Sequence, residues 1–290
     1  MPDVAQPIFI VGTGRCGSTV FHHLLSFHDH VAWLSPCCQK HPERPQLNRR
    51  AMRLLDLPLV SRFARKRVYP VEAYAFWERY CPGFAEPYKD LVAEDLSNRV
   101  AKSLRGALSQ IITRRRPRLL IKITGWPRIG FLQALYPDAR FIHVYRDGRA
   151  VANSLLNIHF WSGWRGPDNW RWGQLTPEQR ECWLKHNRSF AALAGIAWET
   201  LMAAQDKAKE TIPAENLLEV RYETMCADPM GVFRQAAAFL DLEWTPGFEA
   251  TIANSTLRNT NHKWQEDLNE TQKRALSEAL QHALPKYGYS

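Results

Sequence analysis

The segment with the clearest chemical meaning is the loop Gly12-Thr13-Gly14-Arg15-Cys16-Gly17-Ser18-Thr19. It follows the apolar run 8–11 and precedes a helical pattern, so the sequence predicts a strand, a glycine-rich turn and a helix N-terminus. Such a turn directs several backbone N–H groups at one point, and the helix dipole adds positive charge there, which suits a tetrahedral anion. The spacing nearly matches the ATP-type loop G-x-x-x-x-G-K-[ST], but Ser18 stands at the lysine position. We therefore expect an anionic nucleotide rather than a triphosphate with magnesium.

A second candidate anion site follows another strand-like segment. Arg146 stands directly after the apolar run 140–145, and a helical pattern then continues through Ser154. In open α/β sheets, ligands bind in the crevice outside the carboxyl ends of the strands. An arginine fork and a hydroxyl that converge there can hold a phosphate. The alternative is an ion pair between Arg146 and Asp147 at a helix start, with Ser154 simply buried.

Lys122 is the third candidate, because it interrupts the otherwise apolar run 119–123. A lysine on a buried strand is costly unless its ammonium group reaches an anion or water. Near the carboxyl end of the strand it could reach an anion held by the first loop. The alternative is an edge strand with Lys122 in solvent.

These residues require a sheet that brings strand ends together, and the sequence supplies strands and helices in alternation. Near-continuous apolar runs, typical of parallel strands buried on both faces, occur at 8–11, 119–123, 140–145 and 216–222. Helical patterns occur at 129–135, 150–156, 177–209, 230–240 and 269–284, the last with Asn269 or Thr271 as its cap. This order predicts an α/β protein with a doubly wound parallel sheet.

Residues 36–117 do not follow this alternation. Helical stretches at 71–80 and 91–115 lie between the first strand–helix unit and the strand at 119. We interpret 36–117 as a helical insertion that caps the sheet. The sequence contains no repeat and no low-complexity linker, so we expect one domain over residues 1–290.

Composition limits the class of protein without choosing a ligand. The chain has 290 residues, 45% of them hydrophobic, and a formal net charge of +9, which favours anionic ligands. No apolar run is long enough to span a bilayer, and no secretory leader precedes the first strand, so we expect a cytoplasmic protein. The basic run 114–118 is interpreted as a solvated helix C-terminus in preference to a nucleic-acid or acidic-glycan patch.

The six cysteines are scattered, and reduced thiols are expected in such a protein. Cys37, Cys38 and His41 lie close together in the sequence and are the nearest approach to a metal-binding group. A fourth ligand at suitable spacing is missing, so we predict no metal site.

Taken together, these segments resemble the sulfotransferases that use 3′-phosphoadenosine-5′-phosphosulfate (PAPS), and most closely the branch of tyrosylprotein sulfotransferases and bacterial relatives. The matching segments are 10–19, 136–149, 221–223, 228–229, 239–240, 263–264 and 287–289. The likeness covers 7–35 and most of 119–289, but neither 36–117 nor 158–185. The two anion motifs in this order make the resemblance specific.

The resemblance implies a three-layer, P-loop-like α/β fold with helices on both faces of the sheet and a helical cap. It also implies PAPS as donor, 3′-phosphoadenosine-5′-phosphate (PAP) as product and no requirement for a metal. The residues assigned to the 5′-phosphosulfate are Gly14, Arg15, Cys16, Gly17, Ser18 and Thr19. By the same resemblance Arg146 and Ser154 hold the 3′-phosphate, Tyr222 lies near the adenosine, and Lys263 comes from a late loop that closes over the nucleotide.

The chemistry of sulfuryl transfer agrees with these residue types. Negative charge builds on the oxygen that bridges sulfur and phosphorus, and preorganised N–H groups and a lysine aimed there stabilise it. By resemblance Lys122 lies near the transferred group, and Arg15 adds positive charge. Sulfate carries less charge than a terminal phosphate, so magnesium is not needed to neutralise it.

The general base that takes the acceptor proton is the least determined part. Where the tyrosylprotein branch has a glutamate, this chain has Ser35 and no carboxylate nearby, which argues against tyrosine as the acceptor. Candidates lie in the insertion: Glu72 first, then Glu43 and His41. Glu72 also has a simpler interpretation, as a carboxylate in the first turn of a helix.

The segment 158–185 is unusual because four tryptophans occur between residues 161 and 172. Aromatic faces and arginines suit a sugar ring, an aromatic acceptor or an anionic chain. The alternative is that the tryptophans pack a long loop onto the body of the protein, and the sequence does not decide between the two.

The sequence therefore predicts an enzyme that moves a sulfuryl group from PAPS to a hydroxyl or amine on a glycan, lipid or small molecule. One alternative is a P-loop nucleotide kinase, which would bind ATP with magnesium. The other is a non-enzymatic protein that binds anions through its basic charge. No nucleic-acid-binding module is recognisable, so nucleic acid is not expected as a partner.

Overall fold

A computed structural model describes residues 4–85, 88–159 and 161–290. Its centre is a five-stranded parallel sheet in the order β2-β3-β1-β4-β5. The strands are β1 (Ile8–Gly12), β2 (Val31–Trp33), β3 (Arg118–Thr124), β4 (Arg140–Tyr145) and β5 (Leu217–Arg221). The predicted α/β class with a doubly wound parallel sheet is confirmed.

Fifteen α-helices are described, and they flank this sheet. They are α1 (Ser18–Leu25), α2 (Pro36–Lys40), α3 (Pro45–Leu54), α4 (Pro58–Ala64), α5 (Tyr74–Tyr80), α6 (Asn98–Leu108), α7 (Ile129–Leu135), α8 (Gly148–Leu156), α9 (Pro177–Lys185), α10 (Phe190–Lys209), α11 (Tyr222–Ala227), α12 (Pro229–Phe239), α13 (Pro246–Ala253), α14 (Lys263–Asp267) and α15 (Glu270–Leu280). Helices α2 to α6 form the segment that the sequence predicts as an insertion, and the single-domain assignment stays a prediction.

The core explains why the strands have the sequences they do. Every side chain of β1 is buried, and those of β3 and β4 are buried except at their ends. A second apolar cluster joins α8, α10, α15 and the tryptophans of the 158–185 segment. Because all five strands run in parallel, their carboxyl ends lie along one edge of the sheet, where the candidate site residues were expected.

Four predicted helices are wrong in their extent. The pattern at 71–80 becomes a helix only from Tyr74, after the left-handed backbone of Ala73. The pattern at 177–209 is two helices, because Asn187 and Arg188 have left-handed backbone (φ 52° and 58°) and Ser189 caps α10 through its hydroxyl. The pattern at 91–115 contains a short 3₁₀ turn and α6, which ends at Leu108. The pattern at 269–284 has the predicted cap, Asn269, but its helix ends at Leu280.

The basic run 114–118 is not a helix C-terminus. Arg116 is buried, and its guanidinium donates to Asp56 Oδ1 at 2.9 Å and to the backbone oxygens of His28 and Val31. This arginine therefore ties the start of β3 to the insertion, and only Arg114 and Arg115 remain exposed cations. The prediction of a solvated helix end is wrong for Arg116, because hydrogen bonds to a carboxylate and two carbonyls offset the cost of burying its charge.

No helix among the described residues is both long and apolar enough to cross a bilayer. Phe160, which falls in the predicted tryptophan-rich loop, and Glu86 and Pro87, which fall in the predicted insertion, lie outside the described residues.

Candidate active site

The glycine-rich loop has the backbone of an anion-binding turn. Gly14, Arg15 and Gly17 all have positive φ (83°, 56° and 92°), so the chain reverses sharply between β1 and α1. The N-cap position, Gly17, has no side chain to cap α1, and the first turn contains no acidic residue. The first N–H groups of the helix therefore stay open to an anion.

The side chains of this loop point in different directions. Cys16 is fully buried in the core against Gly12, so only its backbone can face a ligand. Ser18 and Thr19 line a cavity in front of the loop. Arg15 is exposed, and its Nε donates to Ser154 Oγ on α8 at 2.9 Å. The structure thus brings together the loop and the predicted hydroxyl of the second motif.

Arg146 is buried and joins the two motifs. Its guanidinium donates to Asn261 Oδ1 at 2.8 Å, to Thr260 Oγ1 at 3.0 Å and to the backbone oxygen of Arg15 at 3.2 Å. An Arg–Asp ion pair does form at the start of α8, as the alternative predicted, but it joins Asp147 to Arg149 and does not include Arg146. Among the described residues, no carboxylate lies within ion-pair distance of Arg146. A buried cation with neutral partners only is suited to an incoming anion.

Tyr222 packs against both motifs. The Arg146 guanidinium lies 4.3 Å from the centre of its ring, and a Cβ on Gly17 would stand 2.4 Å from its Cδ2. Its hydroxyl donates to the backbone oxygen of Arg258 at 2.8 Å. The ring therefore holds the glycine turn, the buried arginine and the segment before α14 in one arrangement.

Lys122 lies in the middle of the site. It is on β3, between β2 and β1, and is 8% exposed, so it is not on an edge strand in solvent as the alternative required. Its Nζ donates to Thr19 Oγ1 at 2.8 Å and pairs with Glu72 Oε1 at 2.7 Å. One ammonium group therefore connects the start of α1 with a carboxylate of the insertion.

Glu72 is not in the first turn of a helix, which removes its simpler interpretation. It precedes Ala73, whose backbone is left-handed (φ 53°), and α5 begins at Tyr74. Its Oε1 also accepts from Thr124 Oγ1 at 2.9 Å. Burial raises the pKa of the Tyr74 phenol, and the negative charge of Glu72 raises it further. The carboxylate is thus held by Lys122 and Thr124, and the Tyr74 hydroxyl donates to the backbone oxygen of Thr124 at 3.2 Å.

The buried cation Arg128 lies near enough to the Glu72 carboxylate for their charges to interact. Arg128 is 2% exposed, and it donates to the backbone oxygens of Phe84 and Trp126 at 2.9 and 2.7 Å. Burial lowers the pKa of its guanidinium, and the charges of Tyr74, Asp90 and Glu72 oppose that change. Arg128 therefore fixes the loops on either side of Glu72 and adds positive potential at the site.

These groups surround a cavity of about 760 Å³, a size typical of small-molecule sites. Its polar floor contains the loop, Lys122 and Glu72, and its walls are largely apolar. The apolar and aromatic wall residues are Tyr69, Pro70, Val71, Ala85, Trp126, Leu155 and Trp172. The cavity therefore has an anion-binding end and an apolar end, with Lys122 and Glu72 between them.

The tryptophans of the segment 158–185 mostly pack it onto the body of the protein, and one of them also lines the cavity. Trp161, Trp170 and Trp172 are buried and pack the segment onto α8 and α10, whereas Trp164 is 61% exposed. Trp172 also lines the cavity, and it lies against Gly125, where an added Cβ would stand 3.3 Å from the indole. The segment thus packs as a wall, and one tryptophan of that wall faces the cavity.

Besides Cys16, Gly17, Arg146, Ser154 and Tyr222, which lie in or beside the loop, three further predicted residues are outside the cavity lining. Lys263 begins α14 with an exposed side chain, and its neighbours Asn261 and Trp264 line a separate shallow depression. Glu43 pairs with the adjacent Arg44 at the surface, and His41 ends α2 in an exposed position. In the ranges that the structure describes, no group of three histidine, cysteine or acidic side chains is placed to hold a metal ion.

Sequence reasoning missed Thr124, Tyr74 and Arg128. Thr124 ends β3 at the carboxyl edge of the sheet, so the rule that selected Arg146 would also have selected it. Tyr74 and Arg128 carry no comparable signal, because a tyrosine at a helix start and an arginine after a proline are common surface residues. Thr260 and Asn261 were missed for the same reason, since they lie in a polar run without a pattern.

Comparisons with known proteins agree on one class. The family model described as "Sulfotransferase family" matches residues 7–246. An omega-hydroxy-beta-dihydromenaquinone-9 sulfotransferase of Mycobacterium tuberculosis is 25% identical over 98% of this chain and 75% of its own length. Among solved structures, sulfotransferase STF9 of Mycobacterium avium superposes with a TM-score of 0.60 at 19% identity, covering 99% of this chain and 78% of that one. The sulfotransferase domain of the Synechococcus PCC 7002 olefin synthase gives 0.52 at 15% identity, covering 96% and 95%. At these identities the two structures establish the fold alone.

Proposed function

The chain belongs to the sulfotransferase family and is an enzyme, and we propose that it transfers a sulfuryl group from PAPS to a hydroxyl of an acceptor bound in the 760 Å³ cavity. An amine acceptor would use the same geometry. Family membership also decides against the two alternatives left open by the sequence, a nucleotide kinase and a non-enzymatic anion-binding protein.

One observation carries the proposal: Lys122 Nζ lies 2.8 Å from Thr19 Oγ1 and 2.7 Å from Glu72 Oε1. Thr19 belongs to the turn that would hold the leaving phosphate, and Glu72 belongs to the acceptor side. A lysine between them is placed to act where the donor and the acceptor meet.

The residues fit the proposed nucleotide because of their unneutralised positive charge. The open N–H groups of α1 and the side chains of Ser18 and Thr19 would hold the 5′-phosphosulfate. Arg146, with neutral partners only, and Ser154, already bonded to Arg15, would hold the 3′-phosphate. Tyr222 supports Arg146 through its ring, whose centre lies 4.3 Å from the guanidinium carbon. A closing role for Lys263 stays a prediction.

The side chains around Lys122 and Glu72 each have a proposed role in the transfer. PAPS supplies the sulfuryl group, whose bond to the phosphate oxygen breaks as a bond to the acceptor oxygen forms. Glu72 takes the proton of the acceptor hydroxyl. Lys122 and the N–H groups of the loop stabilise the negative charge that develops on the phosphate side. Thr124 holds the Glu72 carboxylate in position for this proton transfer, and the Tyr74 hydroxyl fixes Thr124 by donating to its backbone oxygen at 3.2 Å.

The cavity favours an acceptor with an apolar body. Most of its wall away from the loop is formed by aromatic and aliphatic side chains, beside Arg128 and Arg171. Among the described residues, Glu72 is the one acidic side chain that lines it. A glycan would leave these apolar surfaces without a partner. We therefore favour a lipid or an apolar small molecule, which agrees with the lipid-like acceptor named for the Mycobacterium tuberculosis relative.

Calorimetric titration with PAP, adenosine 5′-phosphosulfate and ATP–Mg²⁺ tests the nucleotide assignment. We expect one-to-one binding of PAP that is tighter than that of either other nucleotide. Arg146→Ala should weaken PAP by about ten- to a hundredfold, because a hydrogen bond to a charged group contributes about 1.5–3 kcal/mol. It should affect adenosine 5′-phosphosulfate, which lacks the 3′-phosphate, much less.

Arg274→Ala is the matched control, because this arginine is exposed on α15, away from both motifs. It should leave both affinities unchanged. Equal losses for both nucleotides in Arg146→Ala would remove Arg146 from the 3′-phosphate, and preferential binding of ATP–Mg²⁺ by the wild type would overturn PAPS as the donor.

A further inference from the structure

A run of neighbouring exposed side chains on the insertion is both apolar and basic, and of its residues Tyr69 alone lines the cavity of the proposed reaction. It lies on residues 50–69, which include the end of α3, all of α4 and the segment that follows. Its exposed apolar side chains are Leu54, Leu57, Leu59, Val60, Phe63 and Tyr69, and its exposed cations are Arg50, Arg53, Arg62, Lys66 and Arg67. We name it the basic–apolar surface.

The apolar part of this surface is unusually exposed. Leu59 is 90% and Phe63 70% exposed, and six of the twelve large apolar side chains that are exposed among the described residues lie here. Single exposed hydrophobic residues are normal, but a contiguous group rimmed by polar residues marks a contact surface.

The other face of the same segment is firmly attached to the protein. Leu55 and Val68 are buried in the main core, and the Arg65 guanidinium lies 4.3 Å from the ring centre of Phe27. Helix α4 itself contributes the partly buried Ala64 to the core, so the segment is anchored at both sides of α4 while Leu59, Val60, Arg62 and Phe63 stay exposed.

The charge of the surface is of one sign. Residues 45–70 contain seven basic residues and a single acidic one, Asp56. That carboxylate accepts a hydrogen bond from the buried Arg116 at 2.9 Å and is therefore already neutralised. The cations that remain exposed alternate with exposed leucine, valine and phenylalanine. Exposed cations beside exposed apolar side chains suit the interface of an anionic membrane.

The surface leads directly to the acceptor end of the cavity. Tyr69 belongs both to the basic–apolar surface and to the cavity wall, and Pro70 and Val71 continue that wall to Glu72. A molecule bound at the surface would therefore reach the proposed base along a continuous apolar path.

We propose that the basic–apolar surface docks on an anionic membrane and that the cavity accepts the hydroxyl of a lipid held in that membrane. The second half rests on the proposed function, whereas the docking does not. Basic side chains near an anionic leaflet each add to the attraction, and apolar side chains inserted at the headgroup boundary add the hydrophobic contribution. Leu59 and Phe63 would be the inserted residues, with Arg62, Lys66 and Arg67 beside them at the phosphate level.

Co-sedimentation with vesicles tests the docking. We expect the full chain to bind vesicles of equal parts phosphatidylcholine and phosphatidylglycerol, to bind pure phosphatidylcholine far more weakly, and to be released by added salt. Neutralisation in the triple variant R62Q/K66Q/R67Q should weaken binding on the order of a hundredfold. The double variant L59S/F63S should weaken it by about tenfold or more.

Matched controls come from exposed residues on other helices. K207Q/R274Q/K286Q removes the same charge, and L184S/F190S removes the same two residue types at about half exposure (47% and 48%), both outside the basic–apolar surface. Both controls should bind vesicles like the wild type. Controls that lose binding as much as the surface variants would overturn the assignment of docking to this surface, because general charge or hydrophobicity would then explain it.

PAP titration of every variant separates this proposal from the proposed function. Surface variants that bind PAP normally but not vesicles support the docking. If the wild type binds PAP but no vesicle, the docking is wrong and the proposed function stands. If L59S/F63S instead converts a wild-type dimer to a monomer in solution, a second copy of the chain covers this surface and the membrane assignment is overturned.

Discussion

Glu72→Gln is the substitution that tests the proposed reaction most directly. The amide keeps the shape of the side chain and an oxygen that can accept from Lys122 and Thr124, now at 2.7 and 2.9 Å from Oε1. It cannot take a proton from the acceptor. A positioned general base contributes about 10²- to 10⁴-fold to the rate, which corresponds to about 3–5 kcal/mol of transition-state stabilisation. We therefore expect kcat to fall within that range.

The affinity for PAP should change little, because Glu72 faces the acceptor end of the cavity and not the loop. Turnover is measured as PAP released from PAPS in the presence of acceptor, and affinity by calorimetry. Glu43→Gln is the matched control, since that carboxylate is exposed and pairs only with Arg44 in the described structure. Its turnover should stay within about twofold of the wild type, as for most surface substitutions.

A second variant separates the loss of a base from a change in structure. In Glu72→Ala, added formate should restore part of the turnover, because a small carboxylate can occupy the space left by the side chain. Retention of wild-type turnover in Glu72→Gln, or a loss of PAP affinity as large as the loss of kcat, would refute the assignment of Glu72 as the base.

Two further predictions concern stability. Gly17→Ala should lower the free energy of unfolding by about 2–4 kcal/mol, because the new Cβ would stand 2.4 Å from Tyr222 Cδ2 at a φ of 92°. The control Gly83→Ala, at a φ of 85° with nothing within 4 Å of the new Cβ, should lower it by only about 1–2 kcal/mol through backbone strain. Equal losses of the two variants in urea unfolding would contradict the clash with Tyr222. The free energy of unfolding should also fall as pH decreases through about 6.5, because burial lowers the pKa of His22 and His143, so that only the unfolded chain gains their protons. The expected loss of stability is up to about 1.4 kcal/mol for each histidine between about pH 7.5 and about pH 5.5. A free energy of unfolding that stays flat or rises over that range in urea titrations would refute this origin.

The sheet could be predicted from the sequence because its strands are buried on both faces. Continuous apolar runs marked β1, β3, β4 and β5 to within about two residues, a margin typical of element ends. The edge strand β2 has three residues, too few for a periodic signal. The break between α9 and α10 escaped detection because apolar residues continue through it, and only the left-handed backbone at Asn187 and Arg188 separates the two helices.

The candidate site also has one part that could be predicted from the sequence and one part that could not. The meeting of Arg15, Arg146 and Tyr222, which we propose to hold the nucleotide, could be predicted, because these residues follow strands closely and the parallel topology brings them to one edge. The acceptor end could not, because it depends on how the insertion folds over that edge. Glu72 and Lys122 are fifty positions apart in the sequence, and no local pattern records that they touch.

The pairing of Glu72 with Lys122 is better explained by function than by stability. Their side chains are 18% and 10% exposed, and removing two charges from water costs as much as, or more than, their attraction returns. An apolar pair of similar volume would stabilise the same position at least as well. The chain adds a second cost beside it, because the buried Ala73 holds a left-handed backbone that disfavours every residue except glycine. Strain of this kind persists where the surrounding structure fixes a side chain for a purpose. Ala73→Gly should therefore relieve strain and stabilise the fold in urea unfolding, yet lower turnover by loosening Glu72, and a variant that gains stability without losing turnover would show that the strained backbone does not position the base.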